Sequence, residues 1–227
     1  MTNRHNNGNM KSLVIFDLDG TLLNTIADLG EATNHALAQM GYPEHPLSAY
    51  NMMVGNGIRR LIERALPEDA RTDELVEATR EHFLLYYNKH LCDHTVPYPG
   101  ITDLLHDLTD RKVAVAVASN KFQDGVTALI SHFFPEVPWV AVMGNREGIP
   151  VKPDPSIVFN ILAEYPTPKS DVLYVGDSGV DMETARRACL DSCGVTWGFR
   201  SRQELETAGA NYIVDTPDDI LPLISRR

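Results

Sequence analysis

Cysteine is scarce in this chain, with only Cys92, Cys189 and Cys193 among 227 residues. Three thiols are too few, and odd in number, to form the disulfide framework that holds small secreted domains together. Long apolar runs are missing as well: no stretch approaches the roughly 18 consecutive apolar residues that a membrane-spanning helix requires. The leading segment Met1 to Lys11 is polar and Asn-rich and lacks the apolar centre of a secretory signal. These absences predict a cytoplasmic protein with reduced thiols, a frayed N-terminal segment and no membrane partner. Positive charge is also in deficit, with 20 Lys and Arg against 31 Asp and Glu and a formal net charge of -11. Counterion release on nucleic acid needs a surplus of cations along one face, so no nucleic-acid partner is expected. A small anionic ligand is still compatible with such a chain, provided a metal or a few placed cations offset the negative field locally.

Apolar residues make up 43% and charged residues 22% of the sequence, which is enough for one sizeable core with an inserted subdomain. Short apolar runs recur at Ser12 to Phe16, Val113 to Ala118, Trp139 to Val142, Val172 to Val175, Gly194 to Trp197 and Tyr212 to Val214. Segments of helical character separate them, at Ile101 to Thr109, Phe122 to His132, Pro155 to Tyr165, Val180 to Ala188, Arg202 to Ala208 and Asp218 to Ile224. Alternation of this kind predicts an α/β fold with a doubly wound, Rossmann-like parallel sheet. Ligands of such sheets bind beyond the carboxyl ends of the strands. Between Asn24 and Val96 the period changes to that of helices, with Ile26, Leu29, Thr33, Ala36, Leu37 and Met40 marking one face. Further helices are expected over Ile58 to Leu66 and Asp73 to His90, and Pro97-Tyr98-Pro99-Gly100 turns the chain back. The organisation read from this is a core of residues 1–23 and 97–227 carrying an all-helical insertion, 24–96.

The residues with chemistry to offer gather at predicted strand ends. Asp17-Leu18-Asp19-Gly20-Thr21 follows the first strand, and its two carboxylates, two residues apart, point to the same side of an extended backbone. Taken alone, an Asp/Gly turn that merely links strand to helix explains it. Ser119-Asn120 follows the second core strand, Lys152-Pro153 precedes a helix, and Gly176-Asp177-Ser178-Gly179-Val180-Asp181 follows another strand. Asp177 and Asp181 lie four apart, on one face of a helix start. Helix capping could account for one of these acids more readily than for both.

In that order, Asp17-x-Asp19-Gly20-Thr21, Ser119, Lys152 and Gly176-Asp177-x-x-x-Asp181 resemble the four signature motifs of the haloacid dehalogenase superfamily, over nearly the whole chain. The helical insertion resembles the cap of its phosphoglycolate phosphatase-like branch, and Val54-Gly55-Asn56-Gly57-Ile58-Arg59-Arg60 resembles that branch's specificity loop. The resemblance implies a Mg²⁺-dependent phosphatase acting on a small phosphorylated metabolite, 2-phosphoglycolate first, as a monomer or homodimer. It implies Asp17 as nucleophile and Asp19 as general acid and base. Thr21, Ser119, the N–H of Asn120 and Lys152 would hold the phosphoryl group. Asp17, the backbone carbonyl of Asp19, and Asp177 would hold the metal, with Asp181 ligating directly or supporting from behind. Asn56, Arg59 and Arg60 would contribute specificity. Two residues depart from the pattern. Asn24 stands where relatives often have Asp, and Cys189 stands where Gly is usual, at a helix exit that favours positive φ.

Other readings are weaker on the residues themselves. His90, Cys92 and His94 fit no zinc spacing, and Gly55-Asn56-Gly57 lacks the lysine of a phosphate-binding P-loop. A dehalogenase has no leaving alkoxide for a second acid to protonate. A phosphosugar mutase, a pyrophosphatase and a non-enzymatic phosphoaspartate module of receiver type remain the alternatives to hydrolysis of a monoester.

Overall fold

The computed structural model describes residues 10–224. Leu13–Phe16 (β1) is buried at every position, and its pleat divides it between two cores. Leu13 and Ile15 pack on one face of the sheet, and Val14 and Phe16 on the other. A strand buried on both faces needs a continuous apolar run, which is why it carries no alternation. Next come Leu23–Asn24 (β2), the helices Ile26–Gln39 (α1), Ile58–Ala65 (α2) and Asp73–Tyr87 (α3), and Val96–Pro97 (β3). The chain then alternates through Ile101–Asp110 (α4), Ala114–Phe122 (β4), Gln123–Phe133 (α5), Trp139–Asn145 (β5) and Ser156–Glu164 (α6). It ends with Val172–Gly176 (β6), Gly179–Ala188 (α7), Asp191–Val195 (β7), Arg202–Thr207 (α8), Tyr212–Val214 (β8) and Leu221–Ile224 (α9).

Six strands form one sheet in the order β5-β4-β1-β6-β7-β8, with every neighbouring pair parallel. The expected doubly wound sheet is therefore present. The winding reverses at β1, so the crevice between the ends of β1, β4 and β6 is the topological switch point where such sheets bind ligands. Helices α1 to α3 bury their own apolar cluster, which includes Leu29, Leu37, Leu61, Ile62, Phe83 and Tyr87. Strands β2 and β3 pair antiparallel at the two ends of this helical segment. That pairing corrects the all-helical reading of 24–96 at its edges: Asn24 and Val96 are strand partners, too short a pair to give a periodic signal. Inside the segment, the buried carboxylate of Asp28 on α1 accepts from the N–H groups of His94 and Thr95 and from the Thr95 hydroxyl, at 2.9, 2.8 and 2.6 Å. A turn polar in sequence is thereby tied to the first helix.

Three local expectations change. Met1 to Asn9 lie outside the described residues, but Lys11, expected to fray, is buried and pairs with Asp191 at 2.5 Å. Strand β4 runs on to Phe122, the residue where a helix was expected to start, and the helix begins at Gln123. Strand β7 begins at Asp191 and ends at Val195, earlier than the apolar pattern suggested. Asn24 accepts from the Ile26 N–H at 3.4 Å but precedes the N-cap of α1, which is Thr25.

Cys189 closes α7 in the left-handed conformation, φ 61° and ψ 44°, with its N–H turned back to the helix. A left-handed non-glycine residue costs roughly 1–2 kcal/mol, while glycine adds about 0.5–1 kcal/mol of unfolded-state entropy, so the strain is the larger of the two. Cys189→Gly is therefore expected to stabilise the fold by about 0.5–1 kcal/mol, raising the thermal midpoint by roughly 1–4 °C. Cys189→Ala should give no such gain, and an equal gain from alanine would show that the thiol and not the backbone sets the cost.

Candidate active site

The three strand ends meet through hydrogen bonds that the fold imposes. Asp17 leaves β1 with its N–H on the Val175 carbonyl of β6, at 2.9 Å, and its own carboxylate accepts from the Leu18 N–H at 2.7 Å. Gly20 turns the chain at φ 87°, and a Cβ there would collide with the Asp177 side chain. Only glycine lets the two loops approach so closely. Along β4 the register with β5 breaks between Ala118 and Phe122, and the intervening residues are Ser119, Asn120 and Lys121. After β6, Asp177 and Ser178 lead into α7, where Asp181 accepts from the Ser178 hydroxyl at 2.6 Å and the Ser178 N–H at 3.2 Å. Asp181 is thus partly a capping residue, as its position at the helix start suggested.

Lys152 joins all three strand ends. Its buried ammonium lies 2.9 Å from Asp17 Oδ1, 2.7 Å from Asp181 Oδ1 and 2.9 Å from the Ala118 carbonyl. Those three acceptors match the three donors an ammonium has. Burial would lower its pKa, but Asp17 and Asp181 together raise it well above the ordinary lysine value. The Lys152 backbone is fixed by Asn120, whose amide accepts from the Lys152 N–H at 2.7 Å and donates to the Lys152 carbonyl at 3.0 Å. The same amide donates to the Gly55 carbonyl at 3.0 Å, so one side chain links core and helical segment.

Asp17, Asp177 and Asp181 are buried, and one oxygen from each lies within 4.8 Å of the others. A single Lys152 does not balance them. Burial, with Asp181 next, pushes the Asp17 pKa up to about 7 against the pull of Lys152. Burial likewise raises Asp177 well above the carboxylate range, reinforced by Asp181 and Asp17. Buried carboxylates this poorly compensated form an all-oxygen donor set suited to a hard divalent cation. Asp17 and Asp177 have oxygens to spare for it. Asp181 spends both of its oxygens on Lys152, Tyr174 and Ser178, which suits support from behind more than direct ligation.

Asp19 stands outside that trio. Its Oδ1 accepts from the Thr25 hydroxyl at 2.7 Å and pairs with Lys121 at 2.9 Å. Both Asp17 and Asp19 line a cavity whose core side is completed by Ser119, Asn120 and Lys121, and whose opposite wall is Leu29, Val54, Gly55, Gly57, Ile58 and Leu61. Gly55 and Gly57 take φ values of 116° and 81°, and a Cβ on Gly57 would press against the Asn120 carbonyl at 3.3 Å. The glycines therefore let this loop close over the strand ends.

Four expected site residues are placed elsewhere. Thr21 is fully buried, does not line the cavity, and its hydroxyl has no partner among the described residues. Arg59 pairs with Glu63 at 3.1 Å and with Asp73, and Arg60 pairs with Glu63 at 2.5 Å, both on the exposed face of α2. Asn56 accepts from Arg64 at 2.7 Å. None of the three lines the cavity. Lys121 was not singled out from the sequence, because a lysine after Ser-Asn has no local feature that distinguishes it from a solvated one. Arg200 was also missed: it reaches from the loop after β7 to the Val54 carbonyl at 2.7 Å. Phe199 beside it donates its N–H to Asp177 at 2.6 Å.

The profile of the family described as haloacid dehalogenase-like hydrolase matches residues 14–195. A phosphoglycolate phosphatase of Pseudomonas savastanoi pv. phaseolicola is 30% identical over 95% of this chain and 80% of its own length. One from Mannheimia succiniciproducens is 28% identical over 93% and 97%. The crystal structure of a candidate phosphoglycolate phosphatase from Lactobacillus delbrueckii subsp. bulgaricus superposes with a TM-score of 0.89 at 32% identity, covering 95% of this chain and 99% of that one. With a profile match across most of the chain, and with the family's acids and lysine converging at the switch point of its sheet, this chain belongs to the haloacid dehalogenase-like hydrolases.

Proposed function

We propose that this hydrolase is a Mg²⁺-dependent phosphatase that cleaves small phosphate monoesters through an aspartyl-phosphate on Asp17, with 2-phosphoglycolate as the leading substrate and residues 24–96 as a cap. The observation that carries the reading is the pairing of two acids with two separate lysines. Asp17 is held by Lys152 at 2.9 Å, and Asp19 is held by Lys121 at 2.9 Å. Two carboxylates facing one cavity, each fixed by its own cation, allow different tasks in one reaction.

An oxygen of Asp17 attacks phosphorus while the bond from phosphorus to the ester oxygen breaks. Asp19 gives that oxygen a proton, and the alcohol leaves. A water then attacks the phosphorus of the aspartyl-phosphate, Asp19 takes its proton, and inorganic phosphate departs with Asp17 restored. Ser119 and the Asn120 backbone border the phosphoryl group, and the Lys152 ammonium offsets its charge. Mg²⁺ held by Asp17, Asp177 and the Asp19 carbonyl would neutralise charge on the phosphoryl oxygens. Asp19, a second acid facing the same cavity as Asp17, favours hydrolytic turnover over a purely regulatory phosphoaspartate module.

The names of the relatives favour 2-phosphoglycolate. So does the cavity, because its opposite wall offers Leu29, Val54, Ile58 and Leu61 where a phosphosugar's hydroxyls would need polar partners. That weighs against a mutase.

Asp17→Asn should abolish phosphate release from 2-phosphoglycolate in the presence of Mg²⁺, and Asp19→Asn should lower it by about 10²–10⁴-fold. Undiminished release by Asp17→Asn, measured by phosphate assay on folded protein, would reject the nucleophile. A second outcome concerns the metal. The Asp17 pKa is raised from 3.8 unfolded to about 7 folded, so folding favours the protonated acid. This contribution to stability is complete below pH 3.8 and is lost as pH rises through about 7. A cation that binds the ionised acids restores what is lost, because it competes with those protons. Millimolar Mg²⁺ should therefore raise the melting temperature more at pH 8 than at pH 5 in differential scanning fluorimetry, and an equal rise at both would contradict the assignment.

A further inference from the structure

Lys121, the cation that fixes Asp19 in the proposed reaction, presents a buried ammonium to the cavity with donors to spare. Lys152 fills its three donors within the protein, on Asp17, Asp181 and Ala118. Lys121 is equally buried, but its one carboxylate partner among the described residues is Asp19 Oδ1, at 2.9 Å, and the Tyr87 hydroxyl takes at most one further donor. The rest of the ammonium lies over the Tyr87 ring of α3, 5.0 Å from its centroid. An ammonium carries three donors and accepts nothing, so this one can bind a further anion while keeping its carboxylate partner.

Among the described residues, Lys121 is the cation that lines that cavity. Arg59 and Arg60 are bound to acids on the outer face of α2. Arg64 donates to the Met53 carbonyl and Asn56; Arg200 donates to the Val54 carbonyl and pairs with Glu204 at 3.5 Å, and though its Nη1 is unpartnered among the described residues it does not line the cavity. The wall facing Lys121 is apolar or glycine. An anionic substituent on a substrate's leaving group would be left uncompensated against that wall unless it met Lys121, and burying an unpaired charge is prohibitive.

Position supports the same conclusion. In the proposed reaction Asp19 reaches the ester oxygen, and Lys121 is hydrogen-bonded to Asp19. A group one carbon beyond the ester oxygen therefore falls within reach of the Lys121 ammonium. We propose that Lys121 is the specificity-determining residue for the leaving group, binding a carboxylate carried one carbon from the ester oxygen of a short phosphorylated acid. This rests on the phosphatase reading for the orientation of the substrate, with phosphorus toward Asp17 and the leaving group toward Asp19. The apolar wall limits the acid to a small one, and no arginine of the helical segment takes part.

The test compares 2-phosphoglycolate with ethyl phosphate, which replaces the carboxylate by a methyl group at the same position, and with inorganic pyrophosphate, whose second anion is a phosphate. Dissociation constants are measured by calorimetry with Mg²⁺ present in full-length Asp17→Asn protein, so that binding is read without turnover. The same measurement is made after adding Lys121→Met or Lys121→Arg. The parent should bind 2-phosphoglycolate about 10–100-fold more tightly than ethyl phosphate, as expected for one charge-assisted contact. Lys121→Met should abolish that preference, and Lys121→Arg should recover part of it. A preference that survives Lys121→Met, or a parent that prefers pyrophosphate, overturns the proposal. In otherwise wild-type protein, the kcat/KM ratio between the two esters should collapse in Lys121→Met, with KM for 2-phosphoglycolate rising most. Phosphate release from both esters by the wild type reports on the phosphatase reading separately. If neither ester is hydrolysed while the Lys121-dependent binding preference holds, the reaction has been misassigned and the carboxylate site stands.

Discussion

One buried ammonium holds the candidate site together. Lys152 bonds to Asp17 at the end of β1, to the Ala118 carbonyl on β4 and to Asp181 on the helix after β6. The chain thus brings three segments, spread from residue 17 to residue 181, to a single point. A buried charge is tolerable only if it is fully partnered, and removing one partner of such a network typically costs about 3–5 kcal/mol. The geometry of the acids is therefore bound to the stability of the sheet's centre. Asn120 extends the constraint outward, since the amide that fixes the Lys152 backbone also holds the Gly55 carbonyl of the helical segment.

The charge balance of this centre explains its chemistry. Asp17, Asp177 and Asp181 crowd around one lysine, and burial raises the pKa of both Asp17 and Asp177. The site is short of positive charge in the place where a phosphoryl group, itself anionic, is to be handled. A divalent cation would supply the missing charge to both the acids and the substrate. The second lysine lies apart from this cluster. Burial opposes the Lys121 ammonium, yet Asp19 beside it holds its pKa above the ordinary lysine value, so it stays charged facing a wall of apolar residues. In the proposed reaction one cation would serve the transferred group, and the other the leaving group.

Much of this was legible in the sequence, for a physical reason. A strand buried on both faces must be a continuous apolar run, and polar residues just past such runs stand at the sheet's carboxyl edge, so Asp17, Ser119 and Asp177 could be placed together before the fold was known. Lys152 was placed with them by motif order alone. What stayed hidden depends on tertiary direction. Arg59 and Arg60 sit on a helix whose inward face is set by Ile58, Leu61 and Ile62, so they turn outward to Glu63 and Asp73. Thr21 follows a turn whose handedness is fixed by Gly20, which sends its side chain into the core. Lys121 becomes visible as a cavity residue only once the register break in β4 is seen. The early start of β7 has a similar cause: Asp191 opens the strand as the partner of Lys11, a residue far away in sequence. Trp197, expected within that strand, leaves it to donate to the Thr21 carbonyl at 3.0 Å.

The central claim is covalent catalysis by Asp17, and it is tested most directly by acid-quenching Asp19→Asn protein during turnover of 2-phosphoglycolate with Mg²⁺ and mapping its peptides by mass spectrometry. The slowed hydrolysis of the intermediate in this variant should leave a phosphoryl group on the peptide that carries Asp17, and hydroxylamine should remove it as expected of an acyl phosphate. Continued phosphate release with that peptide unmodified would contradict the account and point to direct attack by water.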